Sequence, residues 1–304
     1  FVDLVDYFSR IDLYGEDSLD LLDRLSTNKL EDLTEPYTGM GSVLTTNKGR
    51  IIDLIGVNRL PDRVLVTTAK ESKKKVIEWI EFYTIMEDVS VKDISAETCH
   101  FRLIGEGWDD LFPEISELLV RDSTICEIEG ESVIGIREEM SKVLCIDIIG
   151  PFTGRSKIGE FLAKKFEQIN LEKFNQLRLK LGIPVFGFEL TEDFNPLEAG
   201  LISHISFNKG CYVGQEVVAR LNTYDKVQRK LVRLEWQGNL EQNQITCDGK
   251  PIGVITSVDS GIGLGFVRNT YAELEREPAM GPGGGVLRAV AECPGEASDA
   301  EGSL

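Results

Sequence analysis

The hydrophobic positions in the first half of the chain follow one pattern twice. Residues 11–22 and 101–112 each predict a strand, a glycine turn and an amphipathic helix, and the strands and helices that follow keep the same order in both copies. These later elements are predicted at Gly41 to Thr45, Arg50 to Val57, Arg63 to Thr68, Lys70 to Tyr83 (helix) and Val89 to Ile94, then at Ile125 to Ile128, Ser132 to Arg137, Lys142 to Ile148 and Arg155 to Glu167 (helix). The repeated order predicts an α+β fold of two related sandwiches with mainly antiparallel sheets.

The pattern changes after the second copy. A helix is predicted from Leu171 to Leu181, because Gly182 followed by Pro184 is the usual stop signal. Short β runs separated by turn residues then predict a small β-barrel. These runs are Lys230 to Trp236, Gln244 to Cys247, Ile252 to Ser257 and Ile262 to Val267.

Three regions follow from these patterns. Residues 1–225 form the main α+β region, with internal repeats near 1–95 and 96–168. Residues 226–270 form the barrel. Residues 271–304 are rich in glycine, alanine and glutamate without buried periodicity, so we expect an irregular or disordered tail.

Composition and charge limit the function classes. The formal net charge of −18 argues against broad nucleic-acid binding, which depends on clustered lysine and arginine. The six cysteines include no C-x-x-C pair, which argues against a disulfide scaffold or a zinc ribbon. No apolar run approaches the roughly 20 residues that span a membrane, and the start does not resemble a signal or transit peptide. We therefore expect a cytoplasmic chain that does not bind membranes.

The best candidate for chemistry is the segment K-G-C-Y-V-G-Q-E at residues 209–216. A strand is predicted before it, at Ile205 to Phe207, and a helix after it, at Glu216 to Leu221, so Cys211 lies in a strand-to-helix turn. Helix N-terminal amides and the charge of Lys209 favour a thiolate at such a position. The alternative is that Cys211 only fills a tight turn, as most free cysteines do.

Neighbouring residues have predicted supporting roles. Gly210 and Gly214 allow positive φ angles or close approach of a ligand. Gln215 and Glu216 are expected to orient the turn, and Arg220 can pair with Glu216 one helical turn away. His204 is predicted to lie in a strand, where it could act as a base toward Cys211 or could be an ordinary strand histidine with its hydrogen bonds satisfied, which we favour.

The segment K-G-C-Y-V-G-Q-E, with its Tyr212, resembles the signature of the YgfZ family, which is similar to the glycine-cleavage T protein, an aminomethyltransferase. Four more blocks, at 15–28, 44–53, 177–190 and 196–201, resemble the family in the same order. The resemblance covers most of the chain from Val2 to about Arg268. It implies three subdomains in a ring around a folate-binding channel, with a C-terminal β-barrel.

Two departures concern the chemistry of the T protein. T proteins carry paired acids early in a strand, and the matching pair here is Asp53 and Leu54. Their R-L-E-A-G block carries a pterin-binding acid, which is replaced by Lys180, a side chain that only donates hydrogen bonds. The resemblance also implies folate contacts by Asp53, Thr68 and Arg178, although Asp53 could instead satisfy local amides at the strand end.

The resemblance implies three alternatives for function. The leading one is a folate-dependent accessory protein that assists assembly or repair of iron-sulfur enzymes, including enzymes that thiolate tRNA, through Cys211 and Lys209. Its partners would be iron-sulfur client or assembly proteins. The second is a tetrahydrofolate-dependent aminomethyltransferase, so whether the chain is an enzyme stays open. The third is a binding module, in which Cys211→Ser keeps all activity.

Overall fold

The computed structural model describes residues 1–236, 243–247, 250–272, 279–280 and 286–292. Two five-stranded antiparallel sheets and a third group of six antiparallel strands organise these residues. The predicted α+β class with several antiparallel sheets is therefore confirmed. No helix among the described residues is long and apolar enough to span a membrane.

The first sheet is built mostly from the first copy of the repeat. Its strand order is β3-β4-β5-β2-β6. The elements of this part of the chain are β1 (Val2–Asp3), β2 (Phe8–Tyr14), α1 (Ser18–Leu25), β3 (Gly39–Thr45), β4 (Ile51–Arg59), β5 (Val64–Ala69), α2 (Lys73–Tyr83) and β6 (Ser90–Asp93). Helices α1 and α2 cover one face, where Leu21, Leu22, Val76 and Ile80 are buried against strand residues such as Ile55.

The second sheet repeats this topology. Its elements are β7 (Thr98–Ile104), α3 (Pro113–Ser116), β8 (Ser123–Ile128), β9 (Glu131–Met140), β10 (Val143–Pro151) and α4 (Arg155–Ala163). The order β1-β7-β10-β9-β8 matches that of the first sheet, except that β1 takes the place corresponding to β6. Val2 pairs with Arg102 in that strand pair. The start of the chain therefore completes the second sheet, across the predicted repeat boundary near residue 95.

The helix of the second copy is shorter than its sequence pattern predicted. The prediction placed a helix after the glycine turn within residues 101–112, but the structure has turns there and begins α3 only at Pro113. A proline disfavours helical geometry in the residue before it, and Phe112 accordingly has φ −133° and ψ 59°. Trp108 and Phe112 are nevertheless buried in the core of this sheet.

The remainder of the chain contains two helices and the third group of strands. They are α5 (Leu171–Leu181), α6 (Gln215–Thr223), β11 (Arg229–Trp236), β12 (Gln244–Cys247), β13 (Lys250–Asp259), β14 (Ile262–Arg268), β15 (Ala279–Met280) and β16 (Val286–Glu292). Gly182 ends α5 in the left-handed conformation with φ 73°, as its stop signal predicted.

The strands of this third group pair in the cyclic order β11-β14-β13-β12-β15-β16, with β16 hydrogen-bonded to β11. The prediction of an irregular tail over 271–304 is wrong for β15 and β16, because pairing to β12 and β11 supplies the backbone partners that local periodicity does not reveal. The other parts of that predicted tail, 273–278, 281–285 and 293–304, lie outside the described residues.

Candidate functional site

Cys211 is exposed in a turn between a 3-10 helix (Ile202–His204) and α6. The helix predicted at Glu216 to Leu221 is confirmed by α6. The strand predicted at Ile205 to Phe207 is wrong, because its amides do not join a ladder. The Ile205 N–H donates back to Ile202, and the Ser206 N–H donates to the Thr27 carbonyl at 2.9 Å.

Of the two glycines that flank Cys211, Gly214 has the conformational role. Its φ is +88°, and a Cβ at this position would lie 2.5 Å from the Thr46 carbonyl oxygen. Both facts require glycine where the turn packs on the β3–β4 hairpin. Gly210 is not in the left-handed region, and nothing lies within 4 Å of the position of its Cβ. The prediction of a special backbone therefore holds for Gly214 alone.

Lys209 anchors the turn to the end of α1. Its side chain is 0% exposed, and Nζ lies 3.1 Å from Asp23 Oδ2. Nζ donates to the carbonyls of Asp23, Ser26 and Asn28 at 2.6, 3.0 and 2.6 Å. Burial lowers the pKa of Lys209, and Asp23 opposes that shift. An ammonium has three N–H donors, and all three are used here by backbone carbonyls, so none remains to donate to the Cys211 thiol.

The other side chains of the turn divide into supports and exposed groups. Tyr212 is buried, with its ring 5.4 Å from Lys209 Nζ, and burial raises its pKa to about 12. Gln215 Nε2 donates to the Gly210 carbonyl at 3.4 Å, in agreement with its predicted orienting role. Glu216 and Arg220 are exposed, and the described part of the chain contains no ion pair between them. The side chains of Glu216 and Arg220 are thus not paired in this structure, and their pairing stays a prediction.

Asp53 is a buried carboxylate with a complete set of local donors. Thr68 Oγ1 donates to Oδ2 at 2.5 Å, and Ser72 Oγ and the Ala69 N–H donate to the same oxygen. The Leu54 N–H donates to Oδ1 at 2.9 Å. Burial raises the pKa of Asp53, while these hydrogen bonds oppose the shift. Asp53 and Thr68 thus connect β4, β5 and the start of α2. This is the second of the two roles considered for Asp53, in which it satisfies local amides rather than binding folate.

Arg178 is also committed to the protein interior. Its guanidinium donates to Asn175 Oδ1 at 2.8 Å, to Glu189 Oε2 at 3.3 Å and to Ser257 Oγ at 2.9 Å. These contacts tie α5 to the loop after it and to β13. The guanidinium carbon also lies 5.9 Å from the centre of the Phe188 ring, which is 52% exposed. Arg178 therefore supports an exposed aromatic ring.

A buried charge network on the second sheet was missed at the sequence level. Arg102 donates from Nε and Nη2 to the two carboxylate oxygens of Asp147 at 2.5 and 2.6 Å. His100 Nε2 lies 3.0 Å from Asp147 Oδ2, and Arg121 pairs with Glu138 at 2.8 Å. Alternation along β7 was a usable signal, because His100 and Arg102 share one face while the neighbours of each are buried apolar residues.

The pKa shifts in this network have opposite signs. Burial by itself would raise the pKa of Asp147, but Arg102 and His100 hold it well below its ordinary value. Burial raises the pKa of Glu138, which Arg121 opposes and the charge of Asp147 reinforces. The network therefore keeps Asp147 ionised because its charge is fully paired.

Tyr7 connects this network with α5. Its ring packs edge-on against Phe174 at 5.3 Å, and its hydroxyl makes no hydrogen bond within the described residues. Burial raises the pKa of Tyr7, which the charges of Arg178 and Arg102 oppose. We call Tyr7, Arg102, Arg178 and Phe188 the central site, since they bring the N-terminal segment, the second sheet and α5 to one place.

His204 lies in the 3-10 helix and faces the first sheet. A Cβ on Gly41 would be 2.6 Å from its Nδ1. Burial lowers the pKa of His204 to about 4, the charge of Arg121 adds to the shift, and a hydrogen bond with Gly41 opposes it. His204 is therefore neutral and half-buried, and the predicted strand position is wrong because the chain forms a 3-10 helix there.

The pKa of His204 predicts a pH dependence of stability. Below about pH 6.5 the unfolded chain protonates this histidine while the folded chain does not, so the stability that the neutral ring allows is lost as pH falls from 6.5 to about 4. The loss should reach about 3 kcal/mol. Urea unfolding across this range should show a shallower pH dependence for His204→Asn than for wild type, and identical slopes would contradict the assignment.

Comparison with known proteins relates this chain to a family. The family model of the GCVT N-terminal domain matches residues 2–122. A chloroplastic protein of Arabidopsis thaliana, named provisionally as a transferase, is 30% identical over 289 residues, which cover 90% of this chain and 67% of that protein. An aminomethyltransferase of Halalkalibacterium halodurans is 24% identical over 296 residues, which cover 90% and 80%.

Solved structures show the same fold. The aminomethyltransferase T of the glycine cleavage system from Bartonella henselae superposes with a TM-score of 0.81 at 18% identity, over 95% of this chain and 84% of that one. Sequence and fold thus agree over nearly the whole length. The chain belongs to the family of GCVT-domain, aminomethyltransferase-like proteins.

Proposed function

We propose that this protein binds tetrahydrofolate at the central site and transfers a one-carbon unit, as an aminomethyltransferase does. The observation that carries the proposal is that relatives named aminomethyltransferase align over nine-tenths of the chain. This ranks the transferase above the iron-sulfur accessory role. When bound, tetrahydrofolate would supply the nitrogen atoms that accept the one-carbon unit.

The residues of the central site fit such a ligand. Phe188 offers an exposed ring for the flat pterin, and the fixed guanidinium of Arg178 holds that ring in place. The Tyr7 hydroxyl has no protein partner among the described residues, and Nδ1 of the buried His100 also lacks one.

The acid-base arrangement differs from the one expected for a T protein. The carboxylate of Asp53 already accepts hydrogen bonds from four local donors, Leu54 replaces the second acid, and Lys180 is exposed on α5. A base for the donor amine must then come from another group, so we expect slow turnover with aminomethyl donors of the T-protein type. Phe188 and Tyr7 would bind and orient folate whatever the donor is.

Binding of tetrahydrofolate to Phe188→Ala tests the proposal. Loss of an aromatic contact of about 1–1.5 kcal/mol should weaken binding by about tenfold. Phe152→Ala is the matched control, because Phe152 is 45% exposed outside the central site. Titration calorimetry followed by an assay for methylenetetrahydrofolate measures both steps. Equal affinities for wild type and Phe188→Ala, or no binding by wild type, would reject the proposal.

A second function is favoured by the geometry of Cys211. A thiol that is exposed on an anchored turn is accessible to a partner, which supports the folate-dependent, YgfZ-like role in maintaining iron-sulfur enzymes, including tRNA-thiolating ones. Its partners would be client or assembly proteins. We expect this function in a reducing compartment such as the cytoplasm.

Complementation separates the two functions. In cells that lack a YgfZ-like protein, rescue of tRNA thiolation and of an iron-sulfur enzyme by wild type but not by Cys211→Ser would support the second function. Rescue by both would limit Cys211 to a structural or binding role. Folate turnover by purified Cys211→Ser equal to wild type, without any rescue by either protein, would leave the transferase as the function.

A further inference from the structure

An exposed apolar surface lies at the end of α2, away from the residues discussed above. Phe82 is 72% exposed, Ile85 82% and Met86 93%. We call these three side chains the α2 patch. Single exposed apolar residues are ordinary on a protein surface, but three large ones within five consecutive positions are typical of an interaction site.

The α2 patch is held in a defined conformation. The Glu87 carboxylate accepts the N–H groups of Ile85 and Met86 at 2.8 and 3.0 Å, and it pairs with Arg24 at 2.9 Å. The same contacts, the Ile85 amide first, lower the pKa of Glu87 to about 2, so the carboxylate stays ionised at neutral pH. The Phe82 ring packs edge-on against Tyr83 at 5.1 Å. A pre-organised surface binds with a small entropic cost.

The surroundings of the α2 patch are acidic. The acids near the patch are Glu16 and Asp17 before α1, Asp20 in α1, Glu78 and Glu81 in α2, and Asp88 after α2. Of these, Glu78 lies 3.7 Å from Lys74 on the same helix, so its charge is partly offset. The backbone of Asp88 donates to Asp17, and that of Glu16 donates to Asp88, so the turn lies beside Met86 and Glu87. The nearby Arg24 is already shared between Asp20 and Glu87. The result is an apolar centre inside a negative rim.

We propose that the α2 patch docks a basic amphipathic helix of a partner protein, with apolar side chains on Phe82, Ile85 and Met86 and with lysine or arginine facing the acidic rim. Charge complementarity selects this occupant. A second copy of the chain or an anionic lipid surface would bring negative charge against negative charge.

The proposed docking surface is connected to the cysteine turn. The Val213 N–H donates to the carbonyl of Arg24 at 3.0 Å, and the side chain of the same arginine holds Glu87. Val213 also packs against the core below α1 and α2. A partner on the α2 patch would therefore lie beside the part of the protein that presents Cys211.

Fluorescence anisotropy with a labelled amphipathic peptide of about 18 residues, built from leucine and lysine, tests the docking proposal on the full chain. Binding should be at least about tenfold weaker for the Phe82→Ser/Met86→Ser variant, which keeps every charge. The control Leu119→Ser, at a residue 75% exposed elsewhere, should match wild type within about twofold. A leucine-glutamate peptide should not bind.

Several outcomes would overturn the docking proposal. The first is that the peptide does not bind to wild type. The second is that wild type and the double variant bind the peptide with equal affinity, because nonspecific charge attraction would then explain the binding. Sedimentation that shows self-association dependent on Phe82 and Met86 would assign the α2 patch to a second copy. Patch-dependent binding to anionic vesicles would assign it to lipid. Circular dichroism checks that the double variant is folded.

Discussion

Replacing Asp147 by leucine should lower the free energy of unfolding by about 3–5 kcal/mol, because it leaves Arg102 as a buried charge without a counterion. The bidentate geometry of the pair makes the loss large, since two charge-assisted hydrogen bonds disappear together. His100 loses its neighbour as well. Denaturant unfolding of purified protein, followed by fluorescence, measures the change.

A double substitution separates the cost of an unpaired charge from the value of the pair itself. Arg102→Met combined with Asp147→Leu removes both charges, so it should be less destabilising than either single variant. If the double variant instead lowered the free energy of unfolding by the sum of the two single effects, Arg102 and Asp147 would contribute to stability independently. The buried charge network on the second sheet would then not stabilise the protein as one cooperative group, although its short distances predict that it does.

Lys209→Met should lower the free energy of unfolding by about 3 kcal/mol or more and should loosen the turn that carries Cys211. The substitution leaves three carbonyl oxygens at the end of α1 without their donor and Asp23 without its counterion. Denaturant unfolding measures the first effect. Hydrogen exchange of the amides in residues 210–216 measures the second.

Lys48→Met is the matched control for Lys209→Met. Lys48 is an exposed lysine on the β3–β4 hairpin next to the same turn, so its replacement should change stability by less than about 0.5 kcal/mol. Similar stabilities and exchange rates for Lys209→Met and wild type would show that the buried ammonium does not hold the turn. The remaining role for Lys209 would then be the predicted one, in which its positive charge favours the thiolate of Cys211.

Local signals were sufficient for most of the regular structure. Leu171 to Leu181 has helical spacing and ends at a glycine followed by proline, and α5 has those bounds. In β2 and β7 apolar and polar residues alternate, because the apolar face of each strand packs into a core that helices cover. The tail strands β15 and β16 and the place of β1 were not predictable in this way, since their partners are distant in sequence and local pattern carries no information about pairing.

The candidate site was predictable in its residue types but not in its contacts. The turn glycine, the helix after it and the cysteine follow from the segment at residues 209–216, because those conformations depend on near neighbours. The partners of Lys209 and Arg178 come from α1, β13 and a loop, so their burial could not be derived from spacing. The same reason explains why Asp53 was left with two alternative roles.

The sequence by itself determined most of the elements, the repeated order of the two sheets and the cysteine turn, because hydrophobic period, capping and glycine geometry act over a few residues. Only the tertiary structure decided which charges are buried and paired. It placed Lys209 under the turn, Arg102 on Asp147 and Arg178 on Glu189, and it left Cys211 and the α2 patch exposed. Burial and pairing depend on chain segments that meet only after folding, and they decide which groups remain free for function.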